Sequence, residues 1–178
     1  MKRIFYPIAI IIIAIFPAAC KKSFLDVPPQ GQQSLDAFYN AAGVQNLLTG
    51  AYHDLTGIST NSGWWSTSGT YWVYGDVTAG DAYTGGPSTL PEVSIIEQFQ
   101  TTAFSGYLED QWTTDYDGVS RANNAIIAAK NATDMGDDVK AEAIAEARFL
   151  RGHYHFNAKI MWNNVVYVEY ALTLANIA

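Results

Sequence analysis

Residues 145–162 read AEARFLRGHYHFNAKIMW, and the fold turns on whether this stretch is a reactive helix or a packed one. It sets His153 and His155 one residue apart, near Arg148, Arg151 and Glu146, with aromatics between them. On a wheel of about 100° per residue, Val139, Ala143, Ala147, Leu150, Tyr154, Ala158 and Met161 share one face. Phe149, Phe156 and Ile160 share a second. A helix apolar on two sides belongs between neighbours, as in a stacked helical array. The narrow polar wedge holds Arg148, Arg151, His155 and Lys159. Two histidines on one helix bind one metal at i,i+3 or i,i+4. At i,i+2 they diverge by about 160°, and His155 also sits among three cations that oppose a metal ion. The stretch therefore predicts structural histidines, no metal site and no catalytic residue. Arg148 and Arg151 are expected to bond loop carbonyls or carboxylates of the next helix.

This helix is expected over about 138–163, with Asp137 as its cap. A second long helix, roughly 106–131, precedes it, striped by Leu108, Trp112, Tyr116, Val119 and Ile126. Asn123 falls on that stripe, and a buried Asn must be hydrogen-bonded, to backbone or to a neighbouring helix. A short Gly-containing turn joins the two into an antiparallel hairpin, each arm about 38 Å long at the helical rise. Upstream, Ser34 predicts an N-cap, with Asp36 in the first turn. Phe38, Ala42, Leu48, Tyr52 and Leu55 follow at helical spacing, Gly57 fits a C-cap, and Gly43 is expected to weaken the helix. Nothing alternates with period two for long, although NVVYVEY (164–170) reads as a short strand. The predicted class is all-α, built from antiparallel helical hairpins.

The 178 residues are 49% hydrophobic, enough for one core. Lys2 and Arg3 are the only charges in 1–20, so the rest carries 8 basic and 17 acidic residues, a net −9. An acidic body without a basic cluster argues against nucleic acid, whose phosphates need Lys and Arg to displace counterions. After Lys2 and Arg3, the stretch Ile4–Ala19 is apolar and too short for a membrane span of about 20 residues, but of signal-peptide length. It ends Pro17-Ala18-Ala19-Cys20 at the chain's one cysteine. That pattern resembles a bacterial lipobox, with Cys20 lipidated as the mature N-terminus. An uncleaved anchor helix and a plain secretory signal are the alternatives, and Pro17 stands where a lipobox usually carries Leu. Residues 1–19 are thus expected to be a lipoprotein signal peptide. Residues 20–33, with Pro28-Pro29 and Gly31, are an extended tether, and 34–178 are the helical body.

Residues 58–91 are rich in Gly, Ser and Thr and carry Trp64, Trp65, Tyr71, Trp72, Tyr74 and Tyr83 without a sustained period. A loop this long is usually functional or disordered, and six large aromatics argue against disorder. Trp64, Trp65, Trp72, Tyr74 and Tyr83, with Asp76 and Asp81, are the candidate ligand residues. Exposed rings stack on the apolar faces of sugars while nearby Asp, Asn and Ser take the hydroxyls, in a site that is mostly apolar with few polar groups. The same rings would serve equally to anchor the loop on the helices, or as a protein interface. Asp76, Asp81 and Glu92 are also the acids that glycosidase chemistry would need, two of them about 5–10 Å apart. No phosphate-binding loop is present, since GWWSTSG lacks the P-loop lysine and its following helix.

Three segments together resemble one family. They are Cys20 followed by Phe24-Leu25-Asp26-Val27-Pro28; Gln111-Trp112 through Tyr116 to Arg121-Ala122-Asn123-Asn124-Ala125-Ile126; and Ala145–Gly152 running into Tyr154-His155-Phe156 and Trp162. Gly75-Asp76-Val77 and Asp81-Ala82-Tyr83 with Gly85-Gly86 are similar to a loop of many members. In order and spacing, over about residues 20–170, these resemble the SusD/RagB family of outer-membrane lipoproteins of the Bacteroidetes. The resemblance implies a tetratricopeptide-like SusD scaffold and a cell-surface lipid anchor at Cys20. It implies a non-catalytic lid that captures glycans for a SusC-like TonB-dependent transporter, with no cofactor. A lipoprotein glycoside hydrolase using the acids at 76–92, and a tetratricopeptide-like structural adaptor, are the competing readings. Asn163 and Val166 stand where the family usually has Gly and Pro. Members run to several hundred residues, so this chain is expected to be an incomplete scaffold with apolar helix faces that lack a partner.

Overall fold

The computed structural model describes residues 33–56, 72–85 and 90–170. Gln33 apart, these fall in the compact unit Ser34–Ala178. The predicted signal peptide 1–19, Cys20, nearly all of the tether, Trp64, Trp65 and the expected cap Gly57 lie outside the described residues.

Asn40, rather than Ser34, starts the first α-helix, α1 (Ala41–His53). Its side chain accepts from Gly43 N at 2.9 Å, a direct N-cap bond. Ser34 instead leads a separate 3₁₀ turn, Leu35–Phe38. The turn and the helix meet so closely that a Cβ on Gly43 would lie 2.5 Å from Phe38 O. Gly43, expected to weaken the helix, is what lets the chain enter it.

Three further α-helices follow. The first is α2 (Pro91–Glu97), begun by Pro at its N-terminus, where a missing N–H costs nothing. The others are α3 (Gly106–Asn131) and α4 (Asp137–Trp162). The last two match the expected long pair. Gly136 caps α4, while Asp137 and Asp138 occupy its first turn, facing the positive end of the helix dipole. Among the described residues there is no strand, and the fold is all-α.

α3 and α4 form an antiparallel hairpin. Trp112 meets Trp162 near the open end, and Ala128 and Ala129 share a cluster with Ala143 and Ala147 near the turn. Alanines line this seam, and α1 lays Val44 and Leu48 into it. A second cluster joins Ala51 of α1, Val119 and Ala122 of α3, and Leu150 and Tyr154 of α4. Tyr154 is the tie: its ring lies over Gly118, and its hydroxyl donates to Ala51 O.

The expected stripe on α3 is only half right. Val119, Asn123 and Ile126 are buried, but Trp112 is 39% exposed. In the first turns the buried line is Tyr107, Gln111, Thr114, Asp115 and Gly118. Apolar periodicity missed it because most of that line is polar.

Residues 164–170 are extended but form no strand. Side chains of the hairpin take the backbone groups that a neighbouring strand would otherwise bond. Tyr116 Oη donates to Val166 O (2.8 Å), and Asn123 Nδ2 to Val168 O (3.2 Å) and Tyr170 O (3.1 Å). Val168 N donates to His155 Nε2 (3.0 Å), and Arg151 Nη1 to Glu169 O (3.4 Å). Asn123 Oδ1 in turn accepts from Arg151 at 2.9 Å. Asn123 thus bonds both backbone and a neighbouring helix, and Arg151 finds its loop carbonyl. Arg148 lies on the exposed face of α4.

The second apolar face of α4 is bare: Phe149, Phe156 and Ile160 are 70%, 62% and 62% exposed. The packing on two sides that the wheel suggests is realised on one, and the second face is apolar and uncovered, as also expected.

Two helical glycines should respond oppositely to alanine. At Gly118 a new Cβ would stand 2.5 Å from the Tyr154 ring, whereas at Gly152 it would meet nothing within 4 Å. Gly118→Ala should cost about 1–3 kcal/mol by overpacking, and Gly152→Ala should gain about 0.5–1 kcal/mol by restricting the unfolded chain. Urea unfolding followed by circular dichroism reads both signs, and equal effects at the two sites would contradict the seam.

Candidate functional site

The candidate ligand residues that are described sit on one short structure. Residues 72–79 form a helical turn whose centre, Val73–Val77, has π-helical hydrogen bonding. The wider turn sets Val73 and Val77 on its inner side, each 1% exposed, against Val93 and Ile96 of α2 and Tyr107 of α3. Trp72 and Tyr74 pack on the same cluster. The chain then reverses around Asp76 O, which accepts from both Asp81 N (2.8 Å) and Ala82 N (3.0 Å). Gly80, at φ +82°, supplies the backbone conformation that this reversal needs.

The loop therefore sorts its residues. Trp72 and Tyr74 are half-buried anchors on the helices. Tyr83, at 69% exposed, presents a free ring, and Asp76 and Asp81 are exposed beside the reversal. A cleft of about 170 Å³ opens between Leu90, Pro91, Glu92 and Tyr107, residues of the elements on which this turn packs.

Glu92 has a structural task. Its Oε1 accepts from Gly106 N at 2.7 Å and lies 3.5 Å from Ser105 Oγ, so it caps the N-terminus of α3 in place of a local side chain. Of the three acids considered for glycosidase chemistry, one is thereby committed to holding a helix. Among the described residues, no three of His, Cys, Asp and Glu converge as metal ligands. His153 and His155 part as the helical wheel requires: His153 meets Asn157 at 3.1 Å, while His155 faces the extended segment.

Beneath the loop lies a polar interior that the sequence reading missed. Asp115 is 1% exposed and accepts from Gln111 Nε2 at 3.2 Å. Burial pushes its carboxyl up to about 7, against hydrogen bonds from Gln111 and Asn157. Burial also pushes the Tyr74 phenol up, with Tyr107, Asp110, Glu92 and Asp115 adding in the same direction. A second buried acid, Asp54, lies 3.1 Å from Arg121 Nε. Burial lifts it to about 7, while Arg121 opposes the shift. The spacing Gln111, Thr114, Asp115, Gly118 was the available signal: small and hydrogen-bonding residues at helical intervals, next to an apolar stripe.

Asp115 gives a pH prediction. Its carboxyl titrates near 3.8 in the unfolded chain and near 7 when folded. Between those values the folded state holds the extra proton, so stability falls as pH rises through the window. Asp115→Asn should be about 1–3 kcal/mol more stable than the parent at pH 8 and close to it at pH 4. A variant less stable than the parent at pH 8 would sink this assignment.

No family model and no solved structure matches the chain. A SusD-like protein of Bacteroides ovatus is 30% identical to it over 173 residues, covering 94% of this chain and 30% of that relative. The chain thus spans less than a third of the length of the curated relative it matches. The similarity extends over nearly the whole of this chain and supports membership of the SusD-like family.

Proposed function

We propose that this chain serves glycan capture without chemistry, as part of an outer-membrane lipoprotein that delivers oligo- or polysaccharide to a SusC-like TonB-dependent transporter. The observation that carries this reading is the similarity to a SusD-like protein along nearly the whole chain. Cys20 is its lipid anchor, placing the body at the cell surface. No helix among the described residues is long and apolar enough to cross a membrane. The ligand face is the aromatic loop, with Tyr83 as the stacking ring and Asp76 and Asp81 as hydroxyl acceptors. Trp72 and Tyr74 set its position from below, and Trp64 and Trp65 are the further candidates for the same glycan. The commitment of Glu92 to the α3 cap weighs against the hydrolase alternative.

Tyr83→Ala is the cleanest probe, because Tyr83 is outside the core whereas Trp72 is packed into it. On a panel of soluble polysaccharides, the parent chain should retain at least one glycan, and Tyr83→Ala should weaken it roughly tenfold, as loss of an aromatic hot spot does. Trp64→Ala and Trp65→Ala should weaken the same glycan. No reducing sugar should be released. Release that disappears in Asp76→Asn or Asp81→Asn would replace the binding reading with the hydrolase one. Transporter binding without any glycan affinity would favour the structural adaptor. Cys20→Ala should abolish incorporation of labelled palmitate and leave the protein out of the membrane pellet.

A further inference from the structure

We propose that His155 is a proton-operated latch: neutral, it holds the extended segment 164–170 against the hairpin, and protonated, it releases that segment.

The geometry fixes the working tautomer. His155 is 6% exposed and bonded at both ring nitrogens. Nδ1 lies 2.9 Å from Arg151 O, a carbonyl that can only accept, so Nδ1 carries the proton. Nε2 lies 3.0 Å from Val168 N, a backbone amide that can only donate, so Nε2 is the bare acceptor. One tautomer of the neutral ring satisfies both contacts. A second proton on Nε2 turns this acceptor into a donor facing a donor. Val168 N–H is then left buried without a partner, which costs more than the bond itself contributed.

Val168 is the only buried side chain of the segment. Among the described residues its other ties lie at the surface or on backbone carbonyls: hydrogen bonds from Tyr116, Asn123 and Arg151, the Arg151–Glu169 pair, and the Tyr167 ring beside Arg151 and His155. At its start, Asn163 ends α4 at φ 61°, ψ −81°, a conformation that L residues rarely adopt. Release would relax that backbone. It would also move Val165 and Tyr167, which with Phe156, Lys159, Asn163 and Gly152 line a groove of about 420 Å³.

The charges around the ring set the direction. Arg151 and Lys159 flank it one turn away on α4. Tyr116 reaches it from α3, at 6.2 Å between ring centroids, and Tyr167 from the segment at 4.3 Å. Glu169 is the one acid of the segment and pairs with Arg151 at 3.5 Å. Burial holds the imidazole below its ordinary value; the Arg151 carbonyl opposes that shift, the Arg151 charge adds to it, and Glu169 opposes it. The folded state therefore binds this proton less readily than the unfolded chain, and the latch contributes stability above about pH 6.5 that is lost as pH falls below it.

Hydrogen exchange of the full chain between pH 7.5 and 4.5, corrected for the intrinsic rate, reads the latch at the Val168 amide. Protection there should fall about tenfold or more, the equivalent of one hydrogen bond, while the Leu150 amide in the hairpin core holds. In His155→Gln, whose amide oxygen can accept but does not titrate, Val168 protection should stay flat across the range. An unchanged Val168 in the parent, or the same acid loss in His155→Gln, would overturn the proposal. If His155→Gln does not fold, the side-chain ¹⁵N spectrum of the parent decides instead. An Nδ1–H tautomer with a midpoint matching the exchange change supports the latch, and an Nε2–H tautomer refutes it.

Discussion

The approach of Tyr154 to Gly118 sets the frame on which the other elements rest. Because Gly118 has no Cβ, α3 lets a full phenol ring lie across its backbone, and the ring's hydroxyl then reaches Ala51 O at the end of α1. One residue thereby fixes three helices, and it does so with a satisfied polar tip, as a buried Tyr requires. The alanines on either side of the contact follow from it. Once two helices approach this closely, Ala122, Ala125, Ala129, Ala143 and Ala147 are what fits between them.

Tight helix packing leaves little apolar volume at the ends of the seam, and there the structure turns to polar groups. At the α1 end, Arg121 bonds Gly50 O, Asp117 and Asp54 together, putting a cation where the α1 dipole is negative. Near the start of α3, Gln111 and Asp115 are buried as a hydrogen-bonded pair. On the outer groove of the hairpin, Asn123, Arg151 and His155 replace a missing strand for residues 164–170. Such groups add little net stability, since burying a charge costs about what its partner returns. They do specify register. Asn123 can meet Arg151, Val168 and Tyr170 at once in only one alignment of the three elements.

This division explains what the sequence made legible. The hairpin was readable because Leu150, Tyr154 and Ala158 recur with the helical period and are apolar. The fate of Asn123 was readable because a buried amide has few alternatives. The π-helical turn at 73–77 was not, because Val73 and Val77 are four apart within a stretch dominated by Gly, Ser and Thr. The strand reading of 164–170 failed for a physical reason too: alternation of Val and Tyr describes an extended chain, and says nothing about whether a strand or a row of side chains will bond it. At the candidate site, composition pointed to the aromatics, but only packing separates Tyr83, which is free, from Trp72 and Tyr74, which are held.

The two aromatic surfaces of this chain then differ in kind. Tyr83, Asp76 and Asp81 are exposed on a loop braced by a valine cluster. A rigid exposed ring on a loop that also carries exposed acids would suit a hydrated ligand, because the ring loses little entropy on binding. Phe149, Phe156 and Ile160 instead share one bare face of α4, with Arg148 and Lys159 on one side of it and Glu146 on the other. A sugar would gain nothing from Phe149 that Tyr83 does not offer, and would leave the stripe's neighbours unpaired. A stripe of that length, with opposite charges on its two flanks, matches the side of another helix. The proposed glycan reading therefore rests on the loop, and the bare face of α4 has the character of a packing surface.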